Sequence, residues 1–248
     1  MASRAEERTG EAIEPARGPA RPVRLAAAIR ASLTDYYFNS MRLVPANVGW
    51  GAGLVVLVMI GLAWPPGGLL LLPLLALPTA GVFRLAARIV RTAPDPGLRD
   101  VAWPYRHAVR STVALGSIVV VAAVVLSGNV LAGIAARGDA IGWVLATLAA
   151  WGLVALWAGL LVTWPLVVDP ARDDAPLREK LRLAGALLLL DPMRIAGLAV
   201  AALVITMVSA VLTAALLTIS VSFVALVACR VVYPLADRLE PVMVGDRL

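Results

Sequence analysis

The chain has 248 residues, 60% of them hydrophobic, and its mean hydropathy of +0.86 lies far above that of a soluble globular domain. Its formal net charge of +6 comes from 22 Lys and Arg against 16 Asp and Glu. Those basic residues flank apolar runs instead of forming a stripe with interleaved aromatics, which argues against nucleic acid and for anionic lipid head groups as the counter-charge. One cysteine, Cys229, and one histidine, His107, exclude an internal disulfide framework and a metal site built on several Cys or His ligands.

Residues 1–21 mix Glu6, Glu7, Glu11 and Glu14 with Arg, Pro and Gly. They lack the apolar stretch of a signal peptide and read as a disordered cytosolic tail. From Pro22 to Met41 the pattern is helical, with Leu25, Ile29, Leu33 and Tyr36 or Tyr37 on one stripe and Arg21, Arg24 and Arg30 off it. Such a helix either lies in the membrane interface or packs beside the bundle.

The transmembrane domain, residues 22–240, carries six segments. The first, 43–64, opens at Arg42 and Pro45, where a proline near a helix start costs little. Pro65, Pro66, Gly67 and Gly68 read as a turn. The second segment, 69–90, is short of a full crossing up to Phe83 and carries Pro73 and Pro78. Continuing through Val90 with Arg84, Arg88 and Arg91 snorkelling to the cytosolic surface completes it, and a re-entrant hairpin is the alternative. A polar connection with Asp95, Arg99, Asp100, Arg106 and Arg110 follows.

Segments 112–136 and 141–168 form a third and a fourth span around a short turn at Arg137. Trp143 and Trp164 are placed as interface anchors, Trp151 and Trp157 as packing residues inside. The polar stretch Asp169 to Arg194 contains a cytosolic amphipathic helix capped by Asp174, with Leu177, Leu181, Ala184 and Leu188 at helical spacing. The cluster Asp169, Asp173 and Asp174 is otherwise a solvated loop. The 35 residues from Ile195 to Cys229 carry no charge. As one helix they would measure about 52 Å against a hydrocarbon core of about 30 Å. A hairpin breaking around Thr213 to Ser220 gives segments 195–213 and 217–233, with 241–248 a cytosolic tail.

Charge asymmetry supports that count. Arg137 alone among the 22 basic residues then falls outside, as a cytosolic excess of Lys and Arg requires. The fold class is all-α: a polytopic transmembrane helical bundle of about six segments with cytosolic amphipathic helices and both termini cytosolic, in the bacterial cytoplasmic membrane.

Chemistry is sparse. No ionisable residue lies inside the apolar runs, where proton relays and ion paths place theirs. Asn47 and Asn129 are the largest polar side chains there, and each suits an interhelical hydrogen bond or, in a transporter, the wall of a polar path. Gly49 with Gly53, and Ala146 with Ala150, are small-xxx-small pairs suited to close helix contact. His107 has no visible partner, and neither H-E-x-x-H nor a phosphate-binding G-x-x-x-x-G-K-[ST] loop occurs. No catalytic, cofactor-binding or metal-binding residue is assigned.

The run Tyr37 to Trp50 (YFNSMRLVPANVGW), the segment Leu77, Pro78, Thr79 leading into Phe83, Arg84, Leu85, Ala86, and the run Leu181 to Leu190 followed by Asp191, Pro192, Met193, Arg194 resemble the YesL-like family of bacterial membrane proteins. The likeness covers about residues 30–240 by element order. It departs at Trp103, Pro104, Tyr105 and Arg106, where that family is aromatic and lysine-rich. The resemblance implies an integral membrane protein of unestablished activity associated with carbohydrate uptake, and ABC-type sugar transporter subunits as partners. A non-enzymatic accessory or regulatory component is the leading expectation, with docking through Asp174 to Leu190 and Leu98 to Arg110, including Arg99, Arg106, Arg110, Arg178, Lys180 and Arg182. A transporter or channel in its own right is the alternative, and a membrane-embedded enzyme comes third.

Overall fold

A computed structural model describes residues 24–136, 140–212 and 216–245, and all of the regular structure among them is helical. The elements are α1 (Leu25–Phe38), α2 (Ser40–Ala63), α3 (Pro65–Leu71), a 3-10 turn (Leu72–Leu75), α4 (Ala76–Val90), α5 (Leu98–Val101), α6 (Trp103–His107), α7 (Val109–Ala135), α8 (Ala140–Val167), a 3-10 turn (Pro170–Arg172), α9 (Leu177–Leu190), α10 (Pro192–Val211), a π turn (Leu216–Ser220) and α11 (Val221–Gly245). By length and composition six stretches among the described residues can cross a membrane: Ser40–Ala63, Pro65–Val90, Val109–Ala135, Ala140–Val167, Pro192–Val211 and Thr218–Met243.

The chain between Ile195 and Cys229 does break into two helices, because one straight helix of that length would overrun the hydrocarbon layer. Residues 1–21, Arg137 and the start of the break at Thr213 lie outside the described residues. The second crossing is helical from Pro65 to Val90 with no reversal, so it is not a re-entrant hairpin. Its 26 residues are enough to span.

Several local expectations are corrected. Pro65 to Gly68 are not the turn between the first two segments. The chain reverses at Trp64 alone, and the prolines open α3, where their missing N–H groups have no intrahelical acceptor to lose. Pro45 lies inside α2, which starts earlier, at Ser40. The last segment does not end at 233, nor does a tail begin at 241. α11 runs on through Pro234 and Pro241 to Gly245, because its last turns are held by ion pairs described below.

Packing is uneven. α11 is the axial helix: Ala225, Leu226, Ala228, Cys229, Val232 and Ala236 are all fully buried. Around it pack α4, with Val82, Leu85, Ala86 and Ala87 closed off, the lower half of α8, and α1. α1 packs beside the bundle through Ala28 and Ser32, its Tyr36 hydroxyl donating to the Thr218 carbonyl at 3.0 Å. It leaves Leu33, Tyr37 and Phe38 exposed on its other side. The packing alternative for this helix therefore holds, and the helix carries a second apolar face on its exposed side.

Trp164 is no interface anchor. It is buried against Phe83, ring centroids 6.5 Å apart, while Trp151, expected to pack inside, is 68% exposed. Gly49 and Gly53 make no close helix contact. One tight crossing is at Gly133 in α7, where an added Cβ would sit 2.4 Å from the Gly142 carbonyl and 2.6 Å from the Ala146 methyl of α8. Only a residue without a side chain lets the two backbones approach that far.

Candidate functional site

Two places in the bundle gather side chains with chemical potential: a charged cluster at the Arg-rich end, and an apolar cavity between the spans.

The cluster begins with α4, whose Arg84, Arg88 and Arg91 project from successive turns. Arg88 and Arg91 stay partly exposed, whereas Arg84 does not snorkel toward solvent. Arg84 is 4% exposed and forms a forked pair with Asp173, both N–O distances 2.6 Å, while the Nη1 atom also donates to the Val168 carbonyl at 2.9 Å. Its guanidinium lies 4.2 Å above the Trp103 ring. Arg91 donates to Asp169 at 3.2 and 2.7 Å and to Asp237 at 2.7 and 3.0 Å, and it stacks over Tyr233 at 4.3 Å. Arg172 closes the ring, bound to Asp169, to Asp237 at 2.7 Å and to Glu240 at 2.8 Å.

Asp169 is therefore not part of a solvated loop. It is fully buried, bridges two guanidinium groups and accepts the Ala171 N–H at 3.1 Å. Asp174 does not cap α9 either: Pro176 occupies the N-cap position with no side-chain bond. Asp174 stays exposed, because the helix opens at Leu177 and leaves it two residues before the N-cap position. Asp169 is drawn inward because a planar guanidinium gives a carboxylate charge-assisted bonds, and both Arg91 and Arg172 reach it.

Burial alone would pull the Arg91 and Arg172 guanidinium groups down, yet the hydrogen bonds and charges of Asp237, Asp169 and Glu240 outweigh it and hold both above the ordinary arginine value. Lys180 differs. It is 7% exposed, donates to the Val167 carbonyl at 3.1 Å, and burial lowers its pKa, with Asp173 pulling partly in the other direction. Counted with it, the cluster holds four cations (Arg84, Arg91, Arg172, Lys180) and four carboxylates (Asp169, Asp173, Asp237, Glu240). This balance locks α4, α8, α9 and α11 together.

The connection after α4 folds back on the same cluster. Asp100 lies 3.4 Å from Arg88 and accepts the Gly97 N–H at 2.9 Å. At Gly81 an added Cβ would fall 2.4 Å from the Val101 carbonyl, so α5 lies directly on the α4 backbone. His107 is exposed and stacks on Trp103 at 5.7 Å. A cleft of about 460 Å³ lies between this segment and α9, lined by Trp103, His107, Ser111, Asp173, Leu177 and Lys180.

Of the six residues expected at a docking face, Arg99, Arg106, Arg110, Arg178 and Arg182 are exposed and form no ion pair among the described residues. Lys180 is not available there. The buried face of α9 is centred on Lys180, Leu183, Ala184 and Leu187, rotated from the expected stripe because the lysine reaches inward to Val167. Leu181 is exposed instead.

The second place lies inside the spans. A cavity of about 350 Å³ takes lining residues from all six crossing stretches, among them Trp50, Pro73, Thr79, Val120, Trp157, Trp164, Thr206 and Val224. The Trp50 indole donates to Thr79 Oγ1 at 2.9 Å, whose hydroxyl donates to the Leu75 carbonyl at 2.8 Å. Two irregular turns, Leu72–Leu75 and Leu216–Ser220, border the space.

Asn47 and Asn129 do not line it. Asn47 is fully buried, and its Oδ1 accepts the Ser222 N–H at 2.9 Å, with the Ser222 hydroxyl 3.1 Å from both that oxygen and the Leu43 carbonyl. It thereby serves a donor at the start of α11, where the change from π to α winding interrupts the regular ladder. Asn129 is exposed on α7 and is not brought to Asn47. Sequence reasoning passed over Arg172, Asp237 and Glu240 and placed Asp169 in a solvated loop. The available signal was Asp237 and Glu240, three apart on one helix, with the basic residues of α4 available to pair with them.

Searches of the chain against protein-family models, curated proteins and solved structures found no match.

Proposed function

We propose that this chain is a non-enzymatic accessory component of the bacterial cytoplasmic membrane that meets a carbohydrate transporter through its cytosolic Arg-rich face. The observation that carries the reading is the contrast between two sets of arginines at one end of the bundle. Arg84 and Arg172 are buried, Arg91 is half-buried, and all three are paired within the chain. Arg99, Arg106, Arg110, Arg178 and Arg182 are exposed and form no salt bridge among the described residues. Exposed arginines on rigid helices suit an acidic protein surface or anionic lipid. The cytosolic assignment rests on the distribution of basic residues, and the carbohydrate link rests on the YesL-like resemblance.

Affinity purification of the full chain in mild detergent is expected to recover sugar transporter subunits, and R178E/R182E to lose them at unchanged expression. Recovery of no transporter subunit, together with unchanged sugar uptake on deletion, overturns the reading. A transporter in its own right is the second reading, favoured by one observation: two irregular turns border a central cavity, as broken helices border the sites of secondary transporters. Its substrate would be apolar, since the asparagines do not reach that space. Uptake of apolar tracers into liposomes decides between the two.

A further inference from the structure

We propose that the cavity between the six membrane segments is a binding site for one acyl chain of a bilayer phospholipid. The argument starts from what the walls offer. Thr79 Oγ1 is engaged by Trp50 and Leu75 as described, the Thr206 hydroxyl donates to the Ala202 carbonyl at 2.8 Å, and the Trp157 indole donates to the Ala199 carbonyl at 3.4 Å. Polar groups already bonded within their own helices or to a neighbour leave a water with few of the two to four partners it needs. The same commitment leaves little to recognise a sugar, an ion or a head group. What remains is a wall of Trp, Leu, Val, Pro and Phe carbons.

Shape narrows the occupant. Along α4 and the turn before it the lining runs from Leu72 to Phe83. That is about 16 Å at 1.5 Å per residue, roughly half the hydrocarbon thickness of a bilayer. A partner helix, about 10–12 Å across with its side chains, is too thick for 350 Å³. A single hydrocarbon chain suits both the length and the volume. The space is also built into the winding of the chain: Leu72, Pro73 and Leu75 on the 3-10 turn and Ser220 on the π turn all line it. Because every lining residue falls inside a candidate span and the space opens to the surroundings, the solvent that reaches it is itself acyl chain, and leaving its apolar walls empty forfeits dispersion contacts along them.

The test uses the full chain in phosphatidylcholine and phosphatidylglycerol vesicles containing a phospholipid with a photoactivatable group in its acyl chain. Adducts located by mass spectrometry are expected on Trp50, Val120, Trp157 and Val224, saturating at one per protein. V120W, which fills the space, is expected to reduce them roughly tenfold, while adducts on the outward-facing Val121 and Trp151 stay unchanged. V224F is the second filling variant, and the constant outward adducts report that either variant is folded. Labelling of outward residues alone, or equal cavity labelling in a folded filling variant, overturns the proposal. So does loss of the cavity adducts to excess polyprenol at constant phospholipid, which would assign the site to an isoprenoid.

Discussion

The spans built on α7 and α11 are both long and apolar, yet they live in different surroundings. Among the described residues the Val109–Ala135 span has the most apolar window, of which 6% is buried, whereas 72% of the corresponding window in Thr218–Met243 is buried. In water this order would be inverted, because apolar surface would be driven inward. In lipid the tails are as apolar as leucine, so burial goes to the helix that brings small residues, hydrogen-bonding groups and charges to its neighbours. α11 has all three: Ala225, Ala228 and Ala236, then Ser222 with Asn47, then Asp237 and Glu240 with Arg91 and Arg172. α7 packs chiefly on α8, through Gly133, and turns Val121, Val124 and Val125 outward.

The sharpest way to break that contrast is to remove the acid that α4, α8 and the turn after it share. D169A leaves the Arg91 and Arg172 guanidinium groups short of a buried partner, and it is expected to cost about 3–5 kcal/mol. V121A on the outer face of α7 is expected to change stability by less than about 0.5 kcal/mol. Thermal unfolding of both variants in one detergent checks the pair, and similar losses would end the distinction between an ion-locked end and a lipid-facing hairpin. R84K comes next. Lysine keeps the charge but loses the fork to Asp173 and the flat stack on Trp103. A loss of about 1–3 kcal/mol is expected, with R84M costing more because Asp173 is then left without its partner.

The sequence was a good guide to crossings and a poor guide to what joins them. Apolar length and the scarcity of charge between Ile195 and Cys229 were enough for six spans, because bilayer thickness is an external ruler. Burial was not legible in the same way: Trp151 and Trp164 sit in similar apolar runs, and only the packing of α8 on α4 and α11 turns one outward and the other inward. The charged cluster was misread because Asp169, Asp173 and Asp237 are distant in sequence from α4, and an acid near a helix start is well explained locally as a cap. Long-range pairing overrode the local rule. Asn47 was legible as a polar residue in lipid, but its partner Ser222 was not, since a serine in an apolar run ordinarily satisfies itself on the preceding turn.

The third comparison sets Asn47 against Asn129. N47L removes the acceptor for the Ser222 N–H and is expected to cost about 1–2 kcal/mol, whereas N129L on the exposed side of α7 should leave the unfolding midpoint unchanged. A matching loss in N129L would place a second copy or another chain on that side of α7.

Lys180 gives the smallest effect and the only one with a pH signature. Burial lowers its pKa in the folded chain below the ordinary lysine value of 10.5, so between the two values the unfolded chain holds more proton than the folded one. Stability therefore rises with pH across that window, and the penalty for burying the ammonium is fully present only below it. K180M removes the charge and with it the slope, at the loss of the bond to the Val167 carbonyl. The unfolding midpoint of the wild type, measured relative to K180M, is expected to climb as pH is raised toward 10. A flat difference would mean that the amine reaches water through the neighbouring cleft, and that the fourth cation of the cluster is bound to it far more loosely than the three arginines.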